Sequence, residues 1–423
     1  MAMPVQKRWM ARGVSAFVLC LVTAHSTVAQ LYEKIEVRGN QFLQDNEILN
    51  ACGFSPEEQF NSNDVGFARE CLMSTGQFKS VDLYPENGAM IVEVAEVNPR
   101  PGRVELGLKV DSDEGLLGSL YFERYNIFPK TFGAVELQFS DEFASLETNL
   151  YRKDFFAEGW DAGIDMLGVE TSFDDRRFDT RRVTIEPFVA RRMGRGRVEV
   201  GLGYRSDSVF DIDPAASATI LADQGTERGL YLRFGYRFQD EMWQFSATQH
   251  FFDIGESDVV SRSELEASSH LTLVPDNLDL NLRAAVGQVE SLKGRDPRIS
   301  DRFFVGGSNL RGFAPRGLGP RDGPDFLGGE KYIVASAELQ KSIGDVFSSP
   351  ARVGGFIDVG TTWDLSNTLG GTVDDELKWR SAVGLSLILQ VGKVPLSIYV
   401  AQPIQKSAGD DEQNFGLSIS TSF

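Results

Sequence analysis

Past residue 29 the chain has no apolar run long enough to cross a bilayer as a helix. A membrane form must then be a closed sheet, because only helices and closed barrels satisfy every backbone polar group in lipid. Histidine is scarce, with His250 and His270 the only two beyond that point. No residue set has zinc-ligand spacing, and no glycine-rich phosphate loop follows a strand and opens a helix. The sequence therefore implies no metal, no cofactor and no enzymatic activity. Basic residues are outnumbered, 42 Lys and Arg against 61 Asp and Glu, for a net charge of −19. Nucleic acid, which needs clustered Lys and Arg, is excluded as a partner.

Residues 1–29 read as an export signal. Lys7, Arg8 and Arg12 give a positive start, Val14–Val22 is apolar but too short to span, and Thr27-Val28-Ala29 offers a cleavage site before Gln30. Leu19 stands before Cys20 where a lipoprotein signal needs a small residue. Only Cys52 and Cys71 remain beyond the signal, in a compartment that permits disulfides. They either bridge two helices or sit as two small buried side chains, and geometry decides.

Residues 30–98 form a first domain of the α+β class. Glu33–Arg38 alternates and stops at Gly39-Asn40, which predicts a strand and turn. Helices are expected over Asp45–Cys52 and Asn63–Thr75, the second closed by Gly76. Phe78–Tyr84 and Met90–Val94 make a hairpin around Asn87-Gly88. The order strand, helix, helix, strand, strand, with KIEVRGNQFLQDNEIL and GQFKSVDLY, resembles a POTRA domain, the polypeptide-transport-associated module. In such a domain an exposed sheet edge accepts an extended peptide; a rigid collar without client contact is the alternative.

Residues 99–423 alternate with a two-residue period. Val104, Leu106 and Leu108 share one face with Arg103, Glu105 and Lys109 opposite; Leu230, Leu232 and Phe234 repeat the pattern against Arg233 and Arg237. Apolar outside and charged inside is the habit of a membrane barrel. Eleven strands are expected before a long Gly/Pro-rich loop, over 103–111, 117–124, 133–140, 145–152, 160–169, 182–190, 197–205, 229–238, 242–252, 263–273 and 279–288. Five follow, over 331–340, 351–360, 379–389, 394–402 and 414–423, making sixteen. Long connections (Ser206–Arg228, Gln288–Glu330, Thr361–Lys378) fall on one side; short ones (Arg191–Gly196, Gln239–Glu241, Gln390–Lys393) fall on the other. The fold class is thus an all-β transmembrane barrel with one small α+β domain.

Three blocks, in order, carry a more specific signal: GGSNLRGFAPRGLGPRDGPDFLGGE at Gly306–Glu330, GGFIDVGTTW at Gly354–Trp363, and the terminal Phe423. They resemble the BamA-like outer-membrane assembly and surface-antigen family, with its mitochondrial sorting relatives. The resemblance implies that the loop folds back into the lumen and that Arg311 pairs with an acid on the inner wall, here Asp358. Parity agrees: Val353, Gly355, Ile357 and Val359 face out, so Asp358 faces in. Gly312 would allow close backbone approach and Phe313 would pack on the wall, while Gly354, Gly355 and Gly360 leave room for the loop.

The resemblance also implies a weak seam between the first strand (Val104, Leu106, Leu108) and the last (Phe415, Gly416, Leu417, Ile419, Phe423), with Gly416 a kink site. A C-terminal aromatic matches the signal by which barrel clients are recognised; an interfacial aromatic girdle is the plainer reading of Phe423. The expected function is insertion of outer-membrane proteins by strand templating at the seam. The expected partners are outer-membrane lipid, unfolded outer-membrane protein or secreted polypeptide clients, and periplasmic chaperones or lipoproteins. A single POTRA domain puts the usual lipoprotein partners in doubt. The rivals are a two-partner secretion pore, whose plug segment Gln30–Tyr32 leaves no room for, a passive porin, and a relative with reduced assembly activity.

Overall fold

Asn87 and Gly88 take φ values of 52° and 84°, both in the left-handed region. A two-residue hairpin turn needs that at both positions, and Asn-Gly supplies it at little strain. In a computed structural model of the chain, described over residues 30–31, 34–40, 43, 45–54, 59–60, 62–97, 102–111, 115–125, 127–128, 130–391 and 394–422, this turn joins β2 (Phe78–Glu86) to β3 (Ala89–Glu96). The export-signal reading of residues 1–29 and the terminal Phe423 lie outside the described residues.

The chain divides into two compact units, with the boundary between Pro99 and Arg100 in sequence. In the first, β1 (Lys34–Arg38) pairs in parallel with β3, which pairs antiparallel with β2, so β1 and β2 are the sheet's edges. Helices α1 (Asp45–Ala51) and α2 (Ser62–Ser74) supply Ile48 and Leu72 to a core shared with Phe78, Val81, Val92 and Val94. Cys52, just past α1, is disulfide-bonded to Cys71 of α2, with Cα atoms 6.0 Å apart. Of the two alternatives open in the sequence, the helix-to-helix bridge is the one formed.

The second unit is a closed antiparallel barrel of sixteen strands. In chain order they are β4 (Arg103–Asp111), β5 (Gly115–Tyr125), β6 (Thr131–Phe139), β7 (Phe143–Arg152), β8 (Trp160–Thr171), β9 (Asp179–Met193), β10 (Gly196–Phe210) and β11 (Gly225–Gln239). Then come β12 (Trp243–Ile254), β13 (Val259–Val274), β14 (Leu278–Lys293), β15 (Lys331–Val346), β16 (Ser349–Trp363), β17 (Arg380–Val391), β18 (Val394–Gln405) and β19 (Phe415–Ser422). Val104, Leu106 and Leu108 are each more than half exposed, while Arg103, Glu105 and Lys109 between them are half-buried toward the lumen. That polarity suits lipid outside and water within. Each expected strand is present, but most run longer: β9, β10 and β11 extend to residues 193, 210 and 239. The added residues continue the ladder beyond the apolar band, where alternation no longer marks them.

At the long-loop end the connections pack against one another. Phe178, Ala216, Ile220, Ile299, Leu327, Leu365 and Val373, from four different connections, pack into one buried cluster with Val209. Polar bonds stitch the same loops together. Ser217 N donates to Asp325 at 2.7 Å and Ser366 N to Glu330 at 2.6 Å; at the same end Arg380 of β17 pairs with Asp410 of the connection before β19 at 2.9 Å.

Candidate functional site

The connection between β14 and β15 turns back into the barrel because its residues find partners there. Gly312 sits at φ 98°, and a Cβ on it would lie 2.8 Å from Ala382 of β17. Only glycine lets the backbone run that close to the wall. Phe313 beside it is fully buried with Leu310, Leu318, Val334 and Ala382. Gly312 and Phe313 also pair as a two-residue ladder with Gln413 and Glu412, tying the loop to the connection before β19.

Arg311 then reaches the wall. Its Nε and Nη2 donate to Asp358 Oδ2 and Oδ1 at 2.7 and 2.9 Å, a two-pronged fork, and its backbone N–H donates to Oδ2 at 3.1 Å. Nη1 donates to Glu338 at 2.5 Å and Nη2 to Ser336 at 3.1 Å. The guanidinium carbon lies 3.4 Å from the ring centre of Phe356. Wall and loop thus fit a planar cation from its edges and its face, which a lysine would not match. Desolvation offsets much of the attraction in such a buried pair, yet removing one partner strands the other at a penalty of about 3–5 kcal/mol.

The acids are themselves held. Ser336, directly opposite Asp358 in the β15–β16 register, donates to it at 2.6 Å; Ser386 and Gln340 donate to Glu338 at 2.6 and 2.9 Å. Gly360 makes room, since a Cβ there would meet Leu310 Cδ1 at 3.0 Å and Ile333 O at 2.6 Å. Gly354 faces in beneath Glu338. Gly355 does not fit its expected role: it faces outward, where an added Cβ would meet only Leu385 at 4.0 Å, so it leaves no space for the loop.

A second anchor, of inverted polarity, has no counterpart in the sequence reading. Asp301, at the root of the same loop, accepts from Arg205 of β10 at 2.8 Å and from Arg182 of β9 at 3.0 Å. Arg205 also donates to Asp253 at 2.7 Å and packs 4.0 Å over Phe252. Burial opposes ionisation of Asp301, but the two arginines more than offset it and hold the carboxyl well below the usual carboxylate range. Ser336, Glu338 and Phe356 were also missed. Inward parity on their strands was the available signal, but which inward residues meet Arg311 depends on register.

The seam joins two short strands: among the described residues β4 has nine residues and β19 eight, against sixteen and fifteen in β15 and β16. β19 pairs with β4 over Gly107–Asp111 against Ser418–Ser422 and with β18 over Leu396–Val400 against Phe415–Ile419, with residues 112–114 and 423 outside the described set. Val104, Leu106 and Phe415 are exposed outward and Leu417 is half-buried. Ile419 pairs with Val110 and Leu396. The register runs unbroken through Gly416, which pairs with Tyr399, so the expected kink is not there. A Cβ at 416 would fall 2.1 Å from the Tyr399 ring, which explains the glycine.

Comparison with known proteins gives the geometry a setting. The Omp85 superfamily domain model matches residues 131–423. The chain is 24% identical over 424 residues to the outer membrane protein assembly factor BamA of Neorickettsia risticii, covering 94% of this chain and 56% of that protein. A SAM50-like protein of Schizosaccharomyces pombe is 31% identical over 150 residues, 34% of this chain and 32% of its own. The crystal structure of BamA from Haemophilus ducreyi lacking POTRA domains 1–3 superposes with a TM-score of 0.74 at 18% identity, covering 93% of this chain and 85% of that one. This last likeness is one of fold. The chain spans little more than half the length of the first of these relatives and a third of the second.

Proposed function

The chain belongs to the Omp85 superfamily, and from that premise we propose that it serves at an outer membrane to insert β-barrel or other polypeptide clients. The observation that carries the reading is the contrast in strand length: among the described residues the seam strands β4 and β19 run nine and eight residues, against sixteen and fifteen in β15 and β16. Opening a sheet exposes backbone groups to lipid, and each orphaned group is expensive there. A seam between short strands costs less to part than the β15–β16 ladder, and a client strand entering it would satisfy the groups released. No nucleotide is required, since client folding and burial of apolar surface in lipid supply the driving force.

The packed loops at the long-loop end support this reading over a passive porin. A loop pinned by Arg311 and a packed apolar cluster at that end would narrow any aqueous path. The first unit would then act as a POTRA domain on the periplasmic side, with an edge strand, β1 or β2, receiving extended clients through backbone hydrogen bonds. Periplasmic chaperones or lipoproteins would deliver them.

A reversible lock tests the reading. Lys109 and Ser420 are paired across the seam, so Lys109→Cys with Ser420→Cys closes it under oxidation. In cells depleted of the native protein, the oxidised double variant is expected to let outer-membrane barrels fall while reductant restores them. Normal barrel levels with the seam fully crosslinked would overturn strand templating. Loss of one secreted protein alone would favour the secretion pore.

A further inference from the structure

Several of the barrel's luminal arginines meet carboxylates: Arg197 pairs with Asp161 at 2.6 Å, Arg233 with Glu186 at 2.6 Å, and Arg205 and Arg311 as above. Three arginines on the outer surface have no such partner among the described residues. Arg124, Arg152 and Arg191 lie at the short-turn ends of β5, β7 and β9, in line with the outward residues Phe122, Leu150 and Ile185 of the same strands. All three are exposed, and none makes an ion pair among the described residues. Two of them back onto aromatic rings: Arg152 lies 5.9 Å from the Phe155 ring centre and Arg191 5.1 Å from that of Trp160. A ring occupies one face of a guanidinium and leaves its N–H edge open to an anion.

The adjoining turns form one surface. Lys153 N donates to Lys130 O at 2.9 Å and Arg192 N to Gly159 O at 3.4 Å, linking the turns after β5, β7 and β9. Phe128 and Phe156 are both 67% exposed there, which a water-facing turn would avoid. Segments 124–130, 152–160 and 191–195 carry seven basic residues and two acidic ones, in a chain whose net charge is −19. The acids do not neutralise the surface: Asp154 contacts Lys130 at 3.6 Å, and Glu158 is exposed. Aromatic side chains mark the level of a membrane interface, and clustered cations beside them attract anionic headgroups.

We infer that this sector, beginning one strand from the seam strand β4, binds anionic phospholipid headgroups of the leaflet at the short-turn end. The arginine edges take the phosphate oxygens and the aromatic rings sit among the upper acyl chains. The inference does not rest on the client-insertion reading and its test does not use clients.

The full chain is reconstituted into vesicles of four parts phosphatidylcholine to one part phosphatidylglycerol and released into the gas phase for native mass spectrometry. Retained phosphatidylglycerol is expected to exceed its bulk share several-fold. The Arg124→Gln, Arg152→Gln, Arg191→Gln triple variant should retain it only at the bulk ratio, while still migrating as a folded barrel in unheated gels. Arg228→Gln, an exposed arginine at the opposite end of β11, serves as the control and should leave the enrichment intact. If the wild type shows no preference, if the folded triple variant keeps it, or if the control loses it equally, the inference falls. Should the triple variant fail to fold, raised salt on the wild type decides. Enrichment surviving 1 M NaCl would overturn the electrostatic site, and its loss would support it.

Discussion

Two stretches of the same wall are built to opposite ends. Between β15 and β16 the ladder runs over fifteen positions, and the inner face adds Asp358, Glu338 and Ser336 gripping a cation from a distant loop. The strands that meet at the seam, β4 and β19, are nine and eight residues long among the described residues, against sixteen and fifteen in β15 and β16. The longer strands are where the folded-back loop docks, and the shorter ones are where the sheet closes.

The comparison breaks most severely at Arg311. Arg311→Ala leaves Asp358 and Glu338 buried without their cation, for an expected loss of about 3–5 kcal/mol. Chemical denaturation of the refolded barrel, with trypsin cleavage at Arg316 and Arg321 as a reporter of loop release, measures it. Arg311→Lys should recover only part, because a point charge cannot reproduce the two-pronged bond. A loss under 1 kcal/mol with the loop still protected would remove the docked wall from the argument.

Asp301→Asn comes next. Arg205 keeps Asp253, and Arg182 keeps Asp207, so neither arginine is stranded. The expected loss is about 1.5–3 kcal/mol, the range for hydrogen bonds to charged groups. Full trypsin resistance of the loop in this variant would mean that Arg311 alone holds it.

At the seam the expected effect is kinetic. Amide protons of Phe415–Ser422 should exchange about tenfold or more faster than those of Ser349–Trp363, since local opening draws on the region with the fewest shared hydrogen bonds. Equal protection on the two stretches would erase the difference from which strand templating was argued.

How much of this was readable beforehand follows from what each feature depends on. Alternation is local, so the sixteen strands could be placed from the sequence. Their ends could not, because ladders such as that of β9 and β10 continue past the apolar band. Arg311 and Asp358 were legible through a motif plus parity, and Gly355 was misassigned by applying the motif without parity. Asp301 gave no signal. Its role needs two arginines more than ninety residues away in sequence to converge on it, which only closure of the barrel achieves.

Acid gives the smallest and most discriminating effect. A carboxylate whose folded-state pKa is depressed stabilises the fold fully above its unfolded value, about 3.9, and loses that contribution only as pH falls through the folded value. Arg205 and Arg182 depress that of Asp301. The stability gap between wild type and Asp301→Asn should therefore be the same at pH 7 and pH 5. Denaturation curves of both proteins at the two pH values measure it. A gap that has already narrowed by pH 5 would mean that the carboxyl is partly protonated there. The arginines would then not be holding it ionised, and the loop would hang from Arg311 on the docked wall rather than from two anchors of opposite sign.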